Sequence, residues 1–250
     1  MGEKKSELAI PASYQLFPLG DAAIVVKFGD NIGYDVHTKV RAFAASLEAH
    51  PFPGFVELVP AFTTVTVYYN PWVVSHKGHF DPYQSVIDLL LPVLTLTHNQ
   101  EELPSRLIEI PVCYGGKLGP DLEFVAEHNQ LSPEEVVKLH TAAEYLVFMI
   151  GFAPGFPYMG GMDKRISAPR KATPRPAVPQ GSVGIAGTQT GVYPLQTPGG
   201  WQLIGRSPLL LFRPFQELPS LLRAGDKVRF VSISEEEYLY TTKLAHESSY

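Results

Sequence analysis

Residues 151–206 read GFAPGFPYMGGMDKRISAPRKATPRPAVPQGSVGIAGTQTGVYPLQTPGGWQLIGR. More than half of the chain's glycines and about a third of its prolines fall in this stretch. Glycine admits positive φ and close backbone approach, whereas proline fixes φ and cannot donate to a ladder, so one continuous helix is excluded. Phe152, Phe156, Tyr158, Ile185, Tyr193, Trp201 and Ile204 are interleaved with these breakers and need burial, which argues against disorder. The stretch therefore predicts short strands joined by shaped loops, a loop-built site on a β scaffold. Lys164, Arg165, Arg170, Lys171, Arg175 and Arg206 share it with a single acid, Asp163, although the whole chain carries a net charge of −5.

Working outward, Tyr145 to Ile150 is apolar on both faces and rich in branched and aromatic residues, the composition of a central strand. Before it, Ser132-Pro133-Glu134-Glu135 combines an N-cap, a first-turn proline and a capping-box glutamate, predicting a helix through His140. Ile108, Ile110 and Val112 alternate as a strand ending at Gly115-Gly116. On the other side lie the apolar run Leu209 to Phe212, the turn Ala224-Gly225-Asp226 and a last strand from Lys227 to Ile233. This pattern predicts a β-dominated domain over residues 101–250 with closed, barrel-like pairing, because closure removes exposed strand edges.

The polar stretch from His98 to Ser105 reads as a boundary. Ahead of it, two strands are expected between Tyr14 and Phe28, split at Gly20-Asp21. A helix follows through Val36, Val40, Phe43 and Leu47, stopping before Pro51. Phe55 to Val59 and Thr63 to Tyr69 read as another strand pair, and Asp81-Pro82 starts a second helix. Residues 1–100 thus read ββαββα, a small α+β sandwich with helices on one face of an antiparallel sheet. The first ten residues are polar and expected to fray.

Composition narrows the function classes. Mild acidity and the lack of a basic-aromatic motif argue against nucleic acid as the main partner. The longest apolar run, Tyr145 to Phe156, is broken by Gly151, Pro154 and Gly155 and falls short of the ~20 residues of a membrane span. The amino terminus has no apolar signal segment, and Met1-Gly2 with Ser6 is read as a chance match to a myristoylation pattern. A single cysteine, Cys113, allows no internal disulfide and fits a cytoplasmic setting; it is read as packing rather than as a nucleophile.

Arg170 and Arg175, in Pro169-Arg170-Lys171-Ala172-Thr173-Pro174-Arg175-Pro176, are the strongest chemical signal. The guanidinium fork suits carboxylate and phosphate, and flanking prolines limit the freedom lost on binding; a solvated basic loop is the alternative. The glycines and hydroxyls from Gly181 to Gly191 could turn N–H groups toward an anion, or could simply make tight hairpins. They match neither a phosphate-binding loop nor a nucleophile elbow. His140 could face the site or serve structure. His76 and His79 have no further ligand in view, and no metal site is expected.

Several motifs together carry a resemblance to a known family. They are Gly151-Phe152-Ala153-Pro154-Gly155-Phe156-Pro157-Tyr158, Pro169-Arg170, Pro174-Arg175, Val178-Pro179-Gln180-Gly181-Ser182-Val183, Gln189-Thr190-Gly191-Val192-Tyr193-Pro194 and Pro198-Gly199-Gly200-Trp201. Ile204-Gly205-Arg206, Pro111 to Gly116, Gly119-Pro120-Asp121-Leu122, Ala224-Gly225-Asp226, Leu19-Gly20-Asp21 and Val59-Pro60-Ala61 extend it over nearly the whole chain. The chain resembles the allophanate hydrolase subunit 1 family, which includes the B-type subunit of bacterial 5-oxoprolinase and the kinase inhibitor KipI.

The resemblance implies a ferredoxin-like α+β domain followed by a cyclophilin-like β-barrel. It implies a non-autonomous subunit of an ATP-dependent 5-oxoprolinase that opens 5-oxoproline to glutamate, with ATP as co-substrate of the complex. The partners it implies are a sister cyclophilin-like subunit of the 5-oxoprolinase C type and a lactam-utilisation subunit of the A type. The alternatives are an inhibitor docked on a histidine kinase, an allophanate hydrolase or urea-carboxylase carboxyltransferase-related subunit, and, from the barrel alone, a prolyl isomerase. On the enzyme reading, Arg170, Arg175, Arg206 and His140 are the candidate catalytic residues. The small anionic substrate would be bound by Phe152, Pro154, Gly155, Phe156, Tyr158, Gly181, Ser182, Gln189, Thr190, Gly191, Tyr193, Gly199, Gly200 and Trp201.

Overall fold

The computed structural model describes residues 14–97 and 104–247. These form two compact units that divide between Pro104 and Ser105. The expected fraying of the first ten residues, the Met1-Gly2 pattern and most of the polar boundary lie outside the described residues.

The first unit runs β1 (Gln15–Pro18), β2 (Ala23–Lys27), α1 (Tyr34–Ala49), β3 (Phe55–Pro60), β4 (Thr64–Tyr69), α2 (Pro71–Val74) and α3 (Pro82–Thr97). Its antiparallel sheet has the order β1-β2-β4-β3. Alternation along β2 and β4 sends Ile24, Val26, Val65, Val67 and Tyr69 to one face. There they share a core with Val40, Phe43 and Leu47 of α1 and Val86, Leu90 and Leu94 of α3. The expected start of α3 holds: Asp81 Oδ1 accepts from the Tyr83 N–H at 2.8 Å. The short α2 is an element the sequence reading misses, although Asn70 caps it by accepting from the Trp72 N–H at 3.0 Å.

The second unit begins with β5 (Leu107–Tyr114), α4 (Leu122–His128), α5 (Pro133–Ala142), β6 (Glu144–Ile150) and β7 (Pro157–Gly160), then a 3-10 turn at Lys164–Ile166. It continues with β8 (Arg175–Val178), β9 (Ser182–Ala186), β10 (Gln189–Val192), β11 (Thr197–Gly199), β12 (Gln202–Arg206), β13 (Lys227–Ser232) and α6 (Glu235–Glu247). Seven strands close into a barrel in the order β10-β7-β6-β13-β5-β12-β9, and the β9–β10 hairpin completes the ring. Within the barrel only β13 and β5 run parallel, in a register from Lys227 opposite Leu107 to Ser232 opposite Val112. The barrel expected from the sequence is therefore present, and β8 with β11 forms a separate two-stranded ribbon.

Ile110, Val112, Tyr145, Val147, Met159, Val183, Ile185, Val192, Ile204, Val228 and Phe230 fill the barrel core, and Val125 of α4 and Val136 of α5 join it. The α5 capping box forms as read, with Ser132 Oγ accepting from the Glu135 N–H and Glu135 accepting from the Ser132 N–H at 2.7 Å. A second capping box starts α6, where Ser234 Oγ accepts from the Glu237 N–H and Glu237 accepts from the Ser234 N–H. The spacing Ser234 to Glu237 is visible in the sequence, but α6 is not among the elements expected from it.

Candidate binding pocket

The loop between β6 and β7 is folded on three backbone bonds. The Gly151 N–H donates to Phe156 O at 3.0 Å, the Phe156 N–H to Ala153 O at 2.9 Å, and the Ala153 N–H to Gly151 O at 2.8 Å. The last bond spans a single residue, Phe152, whose φ is +68°. That is the left-handed arrangement of a γ-turn, uncommon and costly for a side chain other than glycine. The turn leaves the Phe152 ring 64% exposed and edge-on to Phe156, with centroids 5.4 Å apart.

Phe156 is buried and is the hub of the aromatic cluster. Tyr158, Tyr193 and Trp201 surround it with centroids 5.1, 5.3 and 5.5 Å away, all steeply inclined, the geometry favoured by ring quadrupoles. Two glycines make this packing possible. A Cβ on Gly191 would lie 3.0 Å from Phe156 Cζ and 3.1 Å from Trp201 Cζ3, and one on Gly199 would overlap the Tyr193 phenol.

Against this aromatic wall opens a cavity of about 290 Å³, lined also by Arg170, Lys171, Pro174, Pro198, Gly199 and Gly200. The rim that carries the cations is fastened to Gly200, between β11 and β12, and to Gln202 of β12. The Lys171 N–H donates to Gly200 O at 2.7 Å, and Gln202 Nε2 donates to Pro169 O at 2.9 Å. Asp121, just ahead of α4 and buried, ties the rest: Arg175 Nη2 and Lys171 Nζ donate to its Oδ1 at 2.7 and 3.3 Å, and the Leu203 N–H donates to its Oδ2 at 2.6 Å. Burial alone would raise this carboxyl, but the bonds from Arg175 and Leu203, the Arg175 charge and the Lys171 bond together hold it below its ordinary value.

Arg170 is exposed and has no carboxylate within ion-pair distance among the described residues. Burial raises the Tyr193 phenol, partly offset by a backbone hydrogen bond from Trp201 and by the Arg170 and Arg175 charges, so it stays protonated near neutral pH. The cavity thus offers flat apolar walls, one free guanidinium, one shared ammonium and a phenol donor. Its lining contains no carboxylate, imidazole, hydroxymethyl or thiol group that could act as base or nucleophile.

The structure brings together Phe152, Phe156, Tyr158, Arg170, Tyr193, Gly199, Gly200 and Trp201 of the expected site. Gly191 lies beneath two of the rings, and Pro154 and Gly155 belong to the loop that carries Phe152 without lining the cavity. Arg175 gives its fork to Asp121 and the Trp201 carbonyl, and Arg206 Nε donates to Gln180 O at 2.7 Å. The N–H groups expected to face an anion are bonded elsewhere. Gly181 donates to Tyr193 O, Ser182 to Pro179 O, and β9 with β10 forms a ladder including Gln189 opposite Ala186.

His140 lies in the barrel interior, wholly buried. Its Nε2 is 2.9 Å from Thr190 Oγ1, which itself donates to Gly184 O at 3.1 Å, and its Nδ1 is 2.7 Å from the Tyr114 hydroxyl. Because the Thr190 proton is engaged, Nε2 must carry the hydrogen and Nδ1 must accept from Tyr114. Burial pushes the imidazole pKa down to about 3. Asp121, Lys171, Pro174 and Pro198 are site residues that the sequence reading misses. The motif Gly119-Pro120-Asp121-Leu122 holds the one available signal, a carboxylate in a glycine-proline turn, with no indication of its partners.

Cys113 is buried, as the packing reading requires. His76 and His79 sit in the segment after α2, where His76 takes a positive φ and packs edge-on to Phe80. No group of three metal-ligating side chains occurs among the described residues, and no helix there is long and apolar enough to cross a membrane.

Residues 14–222 match the family described as carboxyltransferase domain, subdomain C and D. The chain is 57% identical over 228 residues to the B-type subunit of 5-oxoprolinase from Bacillus subtilis, a match covering 90% of this chain and 95% of that one. It is 42% identical over 219 residues to the corresponding 5-oxoprolinase subunit of Escherichia coli, covering 87% and 95%. Among solved structures, TTHA0988 aligns with a TM-score of 0.73 at 36% identity over 85% of this chain, which spans 40% of that longer one.

Proposed function

This chain belongs to the carboxyltransferase subdomain C and D family, and we propose that it is a non-autonomous subunit of an ATP-dependent 5-oxoprolinase complex. The complex would open the lactam 5-oxoproline to glutamate, with ATP as co-substrate. Its other members would be a lactam-utilisation subunit of the A type and a sister barrel subunit of the C type, all in the cytoplasm. The observation that carries this reading is the aromatic-walled cavity with an unpaired Arg170, in a chain 57% identical to a B-type 5-oxoprolinase subunit. A five-membered lactam is flat and small enough to lie on Phe156 and Trp201. Its carboxylate would meet Arg170 and Lys171, and the Tyr193 phenol could donate to the ring carbonyl. Arg175 and Asp121 then act as positioning residues for the cationic rim, while Arg206 and His140 support the surrounding strands.

A lining whose ionisable groups are two phenols, a guanidinium and an ammonium already shared with Asp121, with no carboxylate, imidazole or thiol, suits a binding half-site whose chemistry is completed by another chain. The kinase-inhibitor and urea-carboxylase alternatives are not favoured, because both bacterial relatives carry the name of the B-type 5-oxoprolinase subunit. For the fold we assign residues 1–100 to a ferredoxin-like domain and 101–250 to a cyclophilin-like barrel. The order β1-β2-β4-β3 supports the first: it is the order of a βαββαβ sheet whose last strand has moved to the front.

Co-expression with the A-type and C-type partners, followed by an assay of 5-oxoproline-dependent ADP release, tests the function. Arg170→Ala in that complex should raise KM for 5-oxoproline by about tenfold or more, the worth of a hydrogen bond to a charged group, with an unchanged unfolding midpoint. Absence of ADP release from the complete complex would overturn the function. An unchanged KM would remove Arg170 from the substrate.

A further inference from the structure

A second cavity, of about 150 Å³, opens between Arg106, just ahead of β5, and the segment that leads from β12 to β13. None of its lining residues lines the aromatic pocket. Three arginines, Arg106, Arg213 and Arg223, line it together with Leu210, Leu218 and Leu221. In a chain with net charge −5, such a convergence calls for a counter-charge.

The structure supplies only part of that counter-charge. Asp226 is buried and takes both arms of Arg106, from Nε to Oδ1 at 2.9 Å and from Nη2 to Oδ2 at 2.5 Å. Asp226 therefore balances Arg106, and its Oδ2 also accepts the Arg223 N–H at 2.8 Å. The Arg213 and Arg223 side chains have no acid within ion-pair distance among the described residues. Glu217, on the same loop, neither lines the cavity nor makes an ion pair there.

Both free cations rise from backbone that is already fixed. The Arg213 N–H donates to Pro219 O at 2.7 Å, Gln216 closes a turn onto Arg213 O, Phe212 bridges Ser220, and the Asp226 N–H donates to Arg223 O at 3.1 Å. Little ordering of the main chain remains to be done on binding.

We propose that this cavity is a binding site for a phosphate-class dianion. Two unbalanced guanidinium groups match two negative charges, and planar forks suit tetrahedral oxyanions. The volume is well below the ~300–1,000 Å³ of pockets that enclose drug-sized molecules, so the cavity holds one phosphate-sized group and leaves any attached nucleoside outside. The group is either inorganic phosphate or the terminal phosphate of a nucleotide. The site does not depend on what the aromatic pocket binds.

Titration calorimetry of the full chain with inorganic phosphate, in a chloride buffer at slightly alkaline pH, tests this. Saturable one-to-one binding is expected, displaced by sulfate and not by acetate. The double variant Arg213→Ala/Arg223→Ala should weaken it by about tenfold or more, while Arg170→Ala leaves it unchanged. Arg213→Lys, which keeps the charge and loses the fork, should weaken it by a smaller factor and serves if the double variant unfolds. A parallel titration with ATP separates the sources: tighter binding than phosphate identifies a nucleotide, and weaker or equal binding identifies the free ion. No saturable binding of phosphate, equal displacement by acetate, or a loss that follows Arg170→Ala and not the double variant overturns the proposal.

Discussion

The rim of the aromatic pocket and the interior of the barrel each bury a titratable side chain with a full set of partners, by opposite means. At the rim Asp121 stays charged, because two cations and an N–H converge on it. In the interior His140 stays neutral, because burial disfavours its charged form, and its two nitrogens meet hydroxyl groups beside Phe230, 4.4 Å away. The charged cluster lies where two loops and a helix start must be held around a cavity. The neutral one lies where the strands already fix one another. A charge serves where chain segments distant in sequence need a common anchor, and a neutral network serves where the anchor exists and polar atoms only need satisfying.

Breaking the rim should have the larger effect. Asp121→Ala leaves Arg175 and Lys171, whose side chains are only 23% and 32% exposed, without their carboxylate, and leaves the Leu203 N–H without an acceptor. Removal of one member of a buried pair costs about 3–5 kcal/mol, and the partial exposure of both cations places this site at the lower end. Denaturant unfolding followed by Trp201 fluorescence in a Trp72→Phe background should show a lower midpoint with a similar slope. Because the Asp121 pKa is lowered in the folded chain, its contribution is complete above its ordinary value of 3.8 and is lost as pH falls through the folded value. A midpoint within experimental error of the parent would mean that the rim is held by backbone bonds alone.

The interior responds in a different pH window. The His140 pKa falls from 6.5 to about 3 on folding, so between those values the unfolded chain holds a proton that the folded chain refuses. Stability from this group is complete above pH 6.5 and declines as pH falls toward 3, by about 1.4 kcal/mol per unit at the steepest. His140→Gln, which keeps a donor and an acceptor, should start less stable at pH 7 and lose less on acidification to pH 5. Parallel curves for the two proteins would show that His140 titrates normally.

These two clusters also mark how far the sequence can be read. Local signals are legible: the split at Gly20-Asp21, the Ser132 capping box, and the alternation that buries Val65, Val67 and Tyr69. The closed pairing of the second unit follows from its many short strands. Asp121 is not legible as a site residue, because Lys171 and Arg175 stand 50 and 54 positions away and only the fold brings them to it. For the same reason Arg175 looks as free as Arg170. The glycines are visible, yet the reason for two of them is the rings of Phe156, Tyr193 and Trp201, which no spacing in the chain reveals. His140 closes a helix in sequence, and its inward direction is set by where β10 places Thr190.

The smallest effect belongs to Phe152, and it separates strain from packing at the pocket mouth. A non-glycine residue at φ +68° costs about 1–2 kcal/mol that glycine avoids, while the ring returns some of this through its edge contact with Phe156. Phe152→Ala keeps the strain and loses the contact; Phe152→Gly loses both. The glycine variant should therefore be the more stable of the two by about 1 kcal/mol, measured by denaturant midpoint at constant slope. Both should raise KM for 5-oxoproline in the reconstituted complex by a similar factor, since both remove the same wall of the cavity. Equal stabilities would mean that the turn carries no strain. Equal KM values for parent and variants would mean that the exposed ring plays no part in holding the substrate, and would leave Phe156 and Trp201 as the surface on which the lactam lies.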